Sequence, residues 1–253
     1  MEKLSMKNFV FDIDGTISFN GQNIPDEIIA SIKELMVNGH RVIFASARPI
    51  RDLLPVLPDE FNDNLLIGAN GAMVSDNSKI KIINTINSED AKFVFELITK
   101  YQLSYVVDSD WNYASQITEN NCMYGQIDIG NFARQIPLSM IETPVKIILL
   151  DLNNKLLNKI SESLRTNTDL AVVSHIGEGN LNITANDVNK YSTLSKLGIT
   201  EYIAFGNDKN DVEMLQHAQS GVWITSKTSP LVDNQIECTA DISEITKNIN
   251  QFV

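Results

Sequence analysis

The sequence predicts an α/β chain: an open parallel sheet with helices on both faces, interrupted by an α+β insertion. Two observations carry this. Apolar runs of strand length alternate with helical patterns at both ends of the chain. Those runs are continuously apolar rather than alternating, as in strands covered on both faces. The middle of the chain, about a hundred residues and so of small-domain size, instead shows shorter, more alternating strands. The 253 residues are 43% apolar and 21% charged, enough for one large domain or two modest ones with real cores.

Taken in order, residues 7–13 (KNFVFDI) form the first strand. In residues 25–40, Ile28, Ile29, Ile32, Leu35 and Met36 recur at helical spacing; Pro25 suits a first turn, and Asn38-Gly39 a stop. RVIFASAR (41–48) is a second strand, IRDLLPVL (50–57) a short helix limited by Pro55, and NLLIGANGAMV (64–74) a third strand ending at Asn70-Gly71. The insertion opens with a strand at Lys79–Thr85 and a helix over 88–102 with Ser88 as N-cap. Two short, antiparallel strands follow (103–110 and 112–119), then a helix over IDIGNFARQI (127–136) and a strand in PVKIILLDL (144–152). A helix covers 153–167, and 170–185 holds one or two strands. The opening pattern then resumes: helix 189–198, strand EYIAFGND (201–208), helix 210–218, strand 220–225 and helix 243–252. The division is a Rossmann-like core from 1–78 and 184–253, with an inserted α+β unit over 79–183.

The net charge of −12 repels phosphate backbones and argues against nucleic acid as a partner. Cys122 and Cys238 have no ligand-like spacing and read as free thiols of a reducing compartment. No run is long enough to span a membrane and the N-terminus has no cleavage pattern, so the expected location is cytoplasmic.

In open parallel sheets, reactive groups gather at the carboxyl ends of the strands. Here the first strand ends in Asp12 and Asp14, the second in Ser46 and Arg48, and the strand at 201–208 in Asn207, Asp208, Asn210 and Asp211. Lys190 begins the helix before that last strand. Hard oxygen donors of this kind suit Mg²⁺, while a lysine, a hydroxyl and backbone N–H groups suit a phosphate.

This ordered set, DIDGT, then a strand-ending serine, then a lysine, then GNDKND, resembles the haloacid dehalogenase superfamily of phosphotransferases. The NGAMV stretch, the place of the insertion and CTADI…ITKNI near the C-terminus are similar to its Cof-type branch with a C2-type cap. The resemblance covers nearly the whole chain. It implies a Mg²⁺-dependent phosphatase of small phosphomonoesters, sugar phosphates or related metabolites; the expected assembly is a monomer or weak dimer. Asp12 would be the nucleophile that becomes an aspartyl-phosphate, and Asp14 the acid and base. Gly15 would let the backbone bend and Thr16 support the turn. Ser46 and Lys190 would hold the phosphoryl group, together with Gly15, Thr16, Ala47 and Asn210. Mg²⁺ would sit on Asp12, the Asp14 carbonyl and Asn207, or on Asp208 in place of Asn207, with Asp211 behind them orienting water or Lys190.

Three positions depart from the family pattern. Asn207 stands where a metal-binding aspartate is usual, Ala47 where glycine is preferred, and Tyr191 where glycine often follows the lysine. The last two are tolerable only if the backbone there avoids a glycine-only conformation. Several readings stay open at this level. Lys196 competes with Lys190. Arg48 is either a structural ion-pair partner or a substrate contact, and Asn70 either a substrate contact or a plain turn. Trp111 and Tyr113 read as core packing ahead of pocket lining, and His40, His175 and His217 as structural or exposed. Gly177–Asn180 is either a cap loop facing the site or an ordinary turn. The rival functions are a phosphosugar mutase of the same superfamily and a phospho-acceptor or binding protein without turnover.

Overall fold

The computed structural model describes residues 6–121, 123–175, 179–225 and 236–253. Two sheets organise it. The larger contains β1 (Asn8–Phe11), β2 (Arg41–Ala45), β3 (Leu65–Gly68), β4 (Met73–Asp76), β5 (Lys79–Ile82), β11 (Ile203–Gly206), β12 (Ser220–Thr225) and β13 (Ile236–Thr239). Its order is β13-β12-β11-β1-β2-β3-β4-β5, parallel from β13 to β3 and antiparallel over the last two pairs. The last segment of the chain therefore supplies β11, hydrogen-bonded beside β1, as the resumed pattern implied.

Strand alternation divides the core between two helical layers. Phe9, Phe11, Val42 and Phe44 pack with α1 (Asp26–Val37), α2 (Ile50–Leu53) and α7 (Ile242–Asn250). Val10, Ile43, Ala45 and Ala204 pack with α5 (Lys190–Lys196) and α6 (Val212–Gln216). In α1, Ile28, Ile32 and Leu35 are buried at positions i, i+4 and i+7, and Asp26 and Glu27 in the first turn favour the helix dipole.

The smaller sheet contains β6 (Ser104–Asp108), β7 (Tyr113–Gln116), β8 (Lys146–Leu150), β9 (Leu170–His175) and β10 (Asn180–Ala185), in the order β7-β6-β8-β10-β9, all antiparallel. Tyr105, Val107, Ile147, Leu149, Leu181 and Ile183 pack with α3 (Ser88–Tyr101) and α4 (Asn154–Asn167). The helices cover one face, so the alternate residues Val106, Asp108, Lys146, Ile148, Asn180 and Asn182 belong to the other.

Four expectations change. The run 64–74 is not one strand: β3 ends at Gly68, Ala69–Gly71 makes a 3-10 turn with Asn70 at φ 57°, and β4 returns antiparallel. The strand at 79–82 pairs with β4 in the larger sheet, so a division that keeps this hairpin whole falls after β5 rather than at 79. The cap of α3 is Asn87, whose side chain accepts from the Asp90 N–H, one residue before the expected Ser88. Residues 127–136 are not helical. Asp128 takes φ 49° and its carboxylate accepts the N–H groups of Phe132 and Ala133, closing a loop instead.

Candidate active site

Strands β11, β1 and β2 lie side by side at the centre of the sheet, so the residues just past their carboxyl ends are neighbours. The ladder continues one residue further: the Asp12 N–H donates to the Phe205 carbonyl and the Ser46 N–H to that of Ile67. Asp12, Ser46 and Asn207 are thereby brought to one edge, and α5 carries Lys190 to the same place. Asn189 and Ser192 form a capping box that fixes the start of α5.

Lys190 is fully buried and donates to Asp12 Oδ1 at 2.5 Å and Asp211 Oδ1 at 2.6 Å. The other Asp12 oxygen accepts from Thr16 Oγ1 at 2.7 Å, and that hydroxyl also lies 3.1 Å from Asn207 Oδ1. Asp211 Oδ2 accepts the N–H groups of Asn207 and Asp208 at 3.0 and 3.1 Å. One carboxylate thus shapes the loop and holds the lysine together. Burial, with Asp211 adding to it, pushes the Asp12 carboxyl up to about 7, against the pull of Lys190 and Thr16. Burial works against the Lys190 ammonium, but Asp12 and Asp211 outweigh it and hold its pKa above the ordinary lysine range.

Gly15 has a steric reason to be glycine. It takes φ +82°, and a Cβ there would stand 2.1 Å from the Asn207 amide nitrogen. The turn uses the Ile13 and Ser18 carbonyls as acceptors for Ser18 and Gly15, not the Asp14 carbonyl. The oxygen donors around Thr16, the Asp12 carboxylate and the Asn207 amide, fit a hard divalent cation such as Mg²⁺, which accepts few protein ligands. Among the described residues no group of three His, Cys, Asp or Glu side chains is arranged to hold a metal. That follows from the chemistry here, where an amide stands in the set and Asp211 is turned to Lys190.

Asp14 is placed differently from Asp12. Its carboxylate is exposed and gripped by the Arg48 fork, Nε to Oδ2 at 2.8 Å and Nη2 to Oδ1 at 2.7 Å. Arg48 also donates to the Gly21 carbonyl. Arg48 is therefore an ion-pair partner, and Asp14 touches neither Lys190 nor Thr16. Ser46 is fully buried and its Oγ accepts the Arg48 N–H. Ala47 and Tyr191 both avoid positive φ, so neither departure from glycine strains the backbone.

The remaining candidates lie around this cluster and away from it. Asp208 caps the following turn through the Lys209 N–H and is exposed, whereas Asn207 reaches Thr16. Asn210 donates to Asn70 Oδ1 at 3.2 Å, and its own Oδ1 is buried with no hydrogen-bond partner among the described residues. Lys196 is exposed. Trp111 donates to the Phe132 carbonyl and packs partly against the core, and the Tyr113 ring lies over Arg51. His40 is buried, and His217 is exposed and stacks on Tyr191. Cys122 and residues 176–178, the latter taking in the first half of the Gly177–Asn180 stretch, lie outside the described residues; Cys238 is a buried free thiol.

A cavity of about 390 Å³ lies between the two sheets. Asp14, Gly21, Ala47 and Arg48 line it from the large-sheet side. Val106, Asp108, Lys146, Ile148, Asn180 and Asn182 line it from the small sheet, on the face that α3 and α4 leave open. Beside it, Arg51 is buried between Asp52 and Asp108, with Nη2 at 2.9 and 2.7 Å from the two carboxylates. A family model described as haloacid dehalogenase-like hydrolase matches residues 9–243.

The chain belongs to the haloacid dehalogenase-like hydrolases. As a member it is an enzyme, and its motifs had pointed to this family. It is 23% identical over 233 residues to the Bacillus subtilis 5-amino-6-(5-phospho-D-ribitylamino)uracil phosphatase YcsE, covering 87% of this chain and 84% of that one. Among solved structures it resembles the subclass IIB sugar phosphatase BT4131, with a TM-score of 0.79, 20% identity and coverage of 98% and 99%. TM0651 from Thermotoga maritima superposes at a TM-score of 0.77, with 22% identity and 97% of each chain covered. These two likenesses carry the fold: a mostly parallel sheet with a second, antiparallel one. Among the described residues no helix is long and apolar enough to cross a membrane.

Sequence reasoning missed the small-sheet wall of this hydrolase. Lys146 carried a visible signal, a charge inside the apolar run VKIILL. Asn180 carried only the glycine-rich cue of the Gly177–Asn180 stretch, and Asn182 carried none, because only the helices on the opposite face decide which way it faces.

Proposed function

We propose that this hydrolase is a Mg²⁺-dependent phosphatase of small phosphomonoesters, sugar phosphates or related metabolites, with Asp12 as nucleophile. The observation that carries the reading is the buried Asp12 carboxylate held between Lys190 and Thr16. One oxygen is neutralised by the lysine, and the other accepts from the Thr16 hydroxyl, which is also within reach of the Asn207 amide oxygen. The sugar phosphatase and ribitylaminouracil phosphatase relatives support the substrate class.

In this reading Asp12 attacks phosphorus as the ester P–O bond breaks, and Asp14 gives its proton to the leaving oxygen. Water then attacks the aspartyl-phosphate, Asp14 takes its proton, and phosphate and free Asp12 are released. Asp14 lines the cavity beside the departing alcohol, but must loosen from Arg48 to exchange protons. Lys190, the Ser46 hydroxyl and the backbone of the Gly15 turn position the phosphoryl group, whose loose transition state makes electrostatics the main source of rate. Asp12, the Asp14 carbonyl and Asn207 are the residues that would hold Mg²⁺, which supplies charge neutralisation for the transferring group. Asp211 keeps Lys190 and the Asn207 N–H in register.

The test is hydrolysis of p-nitrophenyl phosphate with Mg²⁺, compared between the native chain and Asp12→Asn. Release that stops in the variant and on chelation supports the proposal. Release that persists in Asp12→Asn rejects it. Incubation with a hexose 1-phosphate, scored for free phosphate against the isomeric 6-phosphate, separates a phosphatase from a mutase.

A further inference from the structure

The charge most at odds with its surroundings in the small sheet is Lys146. It is the first residue of β8, 5% exposed, and followed by four buried apolar residues. Its Nζ crosses from the small sheet to the core, donating to the Ala47 carbonyl at 2.7 Å across 99 residues of sequence. An ammonium has three N–H donors. Among the described residues this one has a single hydrogen-bond acceptor, a neutral carbonyl. Asp108, its register partner on β6, is turned to Arg51 instead. Burial draws the Lys146 pKa below the ordinary lysine range, with Asp108, Asp52 and Asp14 pushing the other way. A buried cation with donors to spare, at the wall of a cavity, is costly unless a ligand oxygen completes its shell.

The neighbours state what kind of oxygen. Lys146 shares its face of the sheet with Ile148, with Val106 on β6, and with Asn182 on β10, all lining the cavity. An amide and an ammonium above an apolar floor suit hydroxyl groups on a carbon chain or ring. The walls carry Asp14, Asp52 and Asp108 against Arg48 and Lys146, so a second phosphate or carboxylate meets no net positive charge there. Ala47 follows Ser46 in the chain, and Asp14, Ala47 and Lys146 line one cavity, so a leaving group reaching out from the proposed phosphate site meets this lysine.

We infer that Lys146 is a specificity-determining residue: it binds a hydroxyl of the leaving group close to the ester and selects phosphomonoesters of polyhydroxylated chains or rings over aryl phosphates and bisphosphates. This deepens the phosphatase reading and rests on it.

Sorbitol 6-phosphate and p-nitrophenyl phosphate serve as the paired probes, with hexose 1,6-bisphosphate as a third. Lys146→Met keeps the length of the stem and removes the donors. The expected result is a fall of about tenfold or more in the ratio of kcat/KM for sorbitol 6-phosphate to that for p-nitrophenyl phosphate, carried mainly by KM. Asn182→Ala, one strand away, lowers the same ratio by a smaller factor and provides the test if Lys146→Met does not fold. An unchanged ratio in either folded variant, or both substrates falling together as a purely structural tie would make them, overturns the inference. So does a native preference for the bisphosphate. Native protein that hydrolyses none of the three overturns the phosphatase reading itself.

Discussion

Two buried cations in this molecule each sit between two aspartates, and they do different work. Arg51 lies between Asp52 and Asp108, and every direction of its fork is used. Nε and Nη2 hold Asp52 in a bidentate pair, Nη2 also reaches Asp108, and Nη1 donates to the Trp111 carbonyl. Asp52 in turn accepts the Asp128 N–H. A planar guanidinium suits such a fixed junction, here between the large-sheet side and the small sheet. Lys190 lies between Asp12 and Asp211, but among the described residues the other oxygen of Asp12 accepts a side-chain hydrogen bond only from the Thr16 hydroxyl, which also reaches the Asn207 amide oxygen. The closed cluster ties two parts of the fold together. In the proposed mechanism the open one leaves a carboxylate oxygen for a cation and for phosphorus.

Substitutions in the open cluster therefore remove activity more than stability, and those in the closed cluster do the reverse. The largest effect is expected for Asp12→Asn, with steady-state phosphate release falling by at least about 10³-fold while the circular dichroism spectrum and cooperative melt persist. Lys190→Met comes next, with kcat falling about 10²–10³-fold, because the transferring charge loses a preorganised partner. Arg51→Met is expected to cost about 3–5 kcal/mol in urea unfolding, since Asp52 and Asp108 are left buried without their cation. Equal stability of Arg51→Met and the native chain would erase the distinction between the clusters. Gly15→Ala is expected to lose about 1–2 kcal/mol from the left-handed backbone alone and a larger share of activity, because its Cβ displaces Asn207. Melting curves and initial rates on one preparation check both halves.

The remaining effect is a pH dependence of stability. The folded Asp12 carboxyl sits at about 7, above its ordinary 3.8. The folded chain holds this proton more tightly than the unfolded chain. That contribution is complete below about 4 and is lost as pH rises through about 7. In metal-free buffer the melting temperature of the native chain should fall over this window relative to Asp12→Asn. Parallel curves for the two proteins would contradict the burial argument.

How much of this was legible in the sequence depended on whether local pattern or tertiary facing decided the outcome. The central strands were legible because Phe9–Phe11, Val42–Ala45 and Ile203–Phe205 are apolar on both faces and nothing else suits them. The cluster around Asp12 was legible because strand ends in a parallel sheet place Asp12, Ser46 and Asn207 side by side. The strand reversal after Gly68 was not, since a continuous apolar run hides a turn whose cause is the backbone at Ala69 and Asn70. Residues 127–136 offered Ile129, Phe132 and Ile136 at helical spacing, and lost the helix to the Asp128 side chain bonding its own backbone. The Asp14–Arg48 pair joins residues 34 apart in sequence, and the charge types alone did not choose between a tie and a substrate contact. The cavity wall depended on which sheet face α3 and α4 cover.

In the proposed mechanism Asp12 is the group that receives phosphorus. The most direct measurement is to quench the protein during turnover of p-nitrophenyl phosphate, reduce with borohydride and map the chain by mass spectrometry. An acyl phosphate is reduced to an alcohol, so homoserine should appear at position 12, and only when substrate was present. Homoserine at position 14 or 211, or an unmodified position 12 in protein that is turning over, would contradict it.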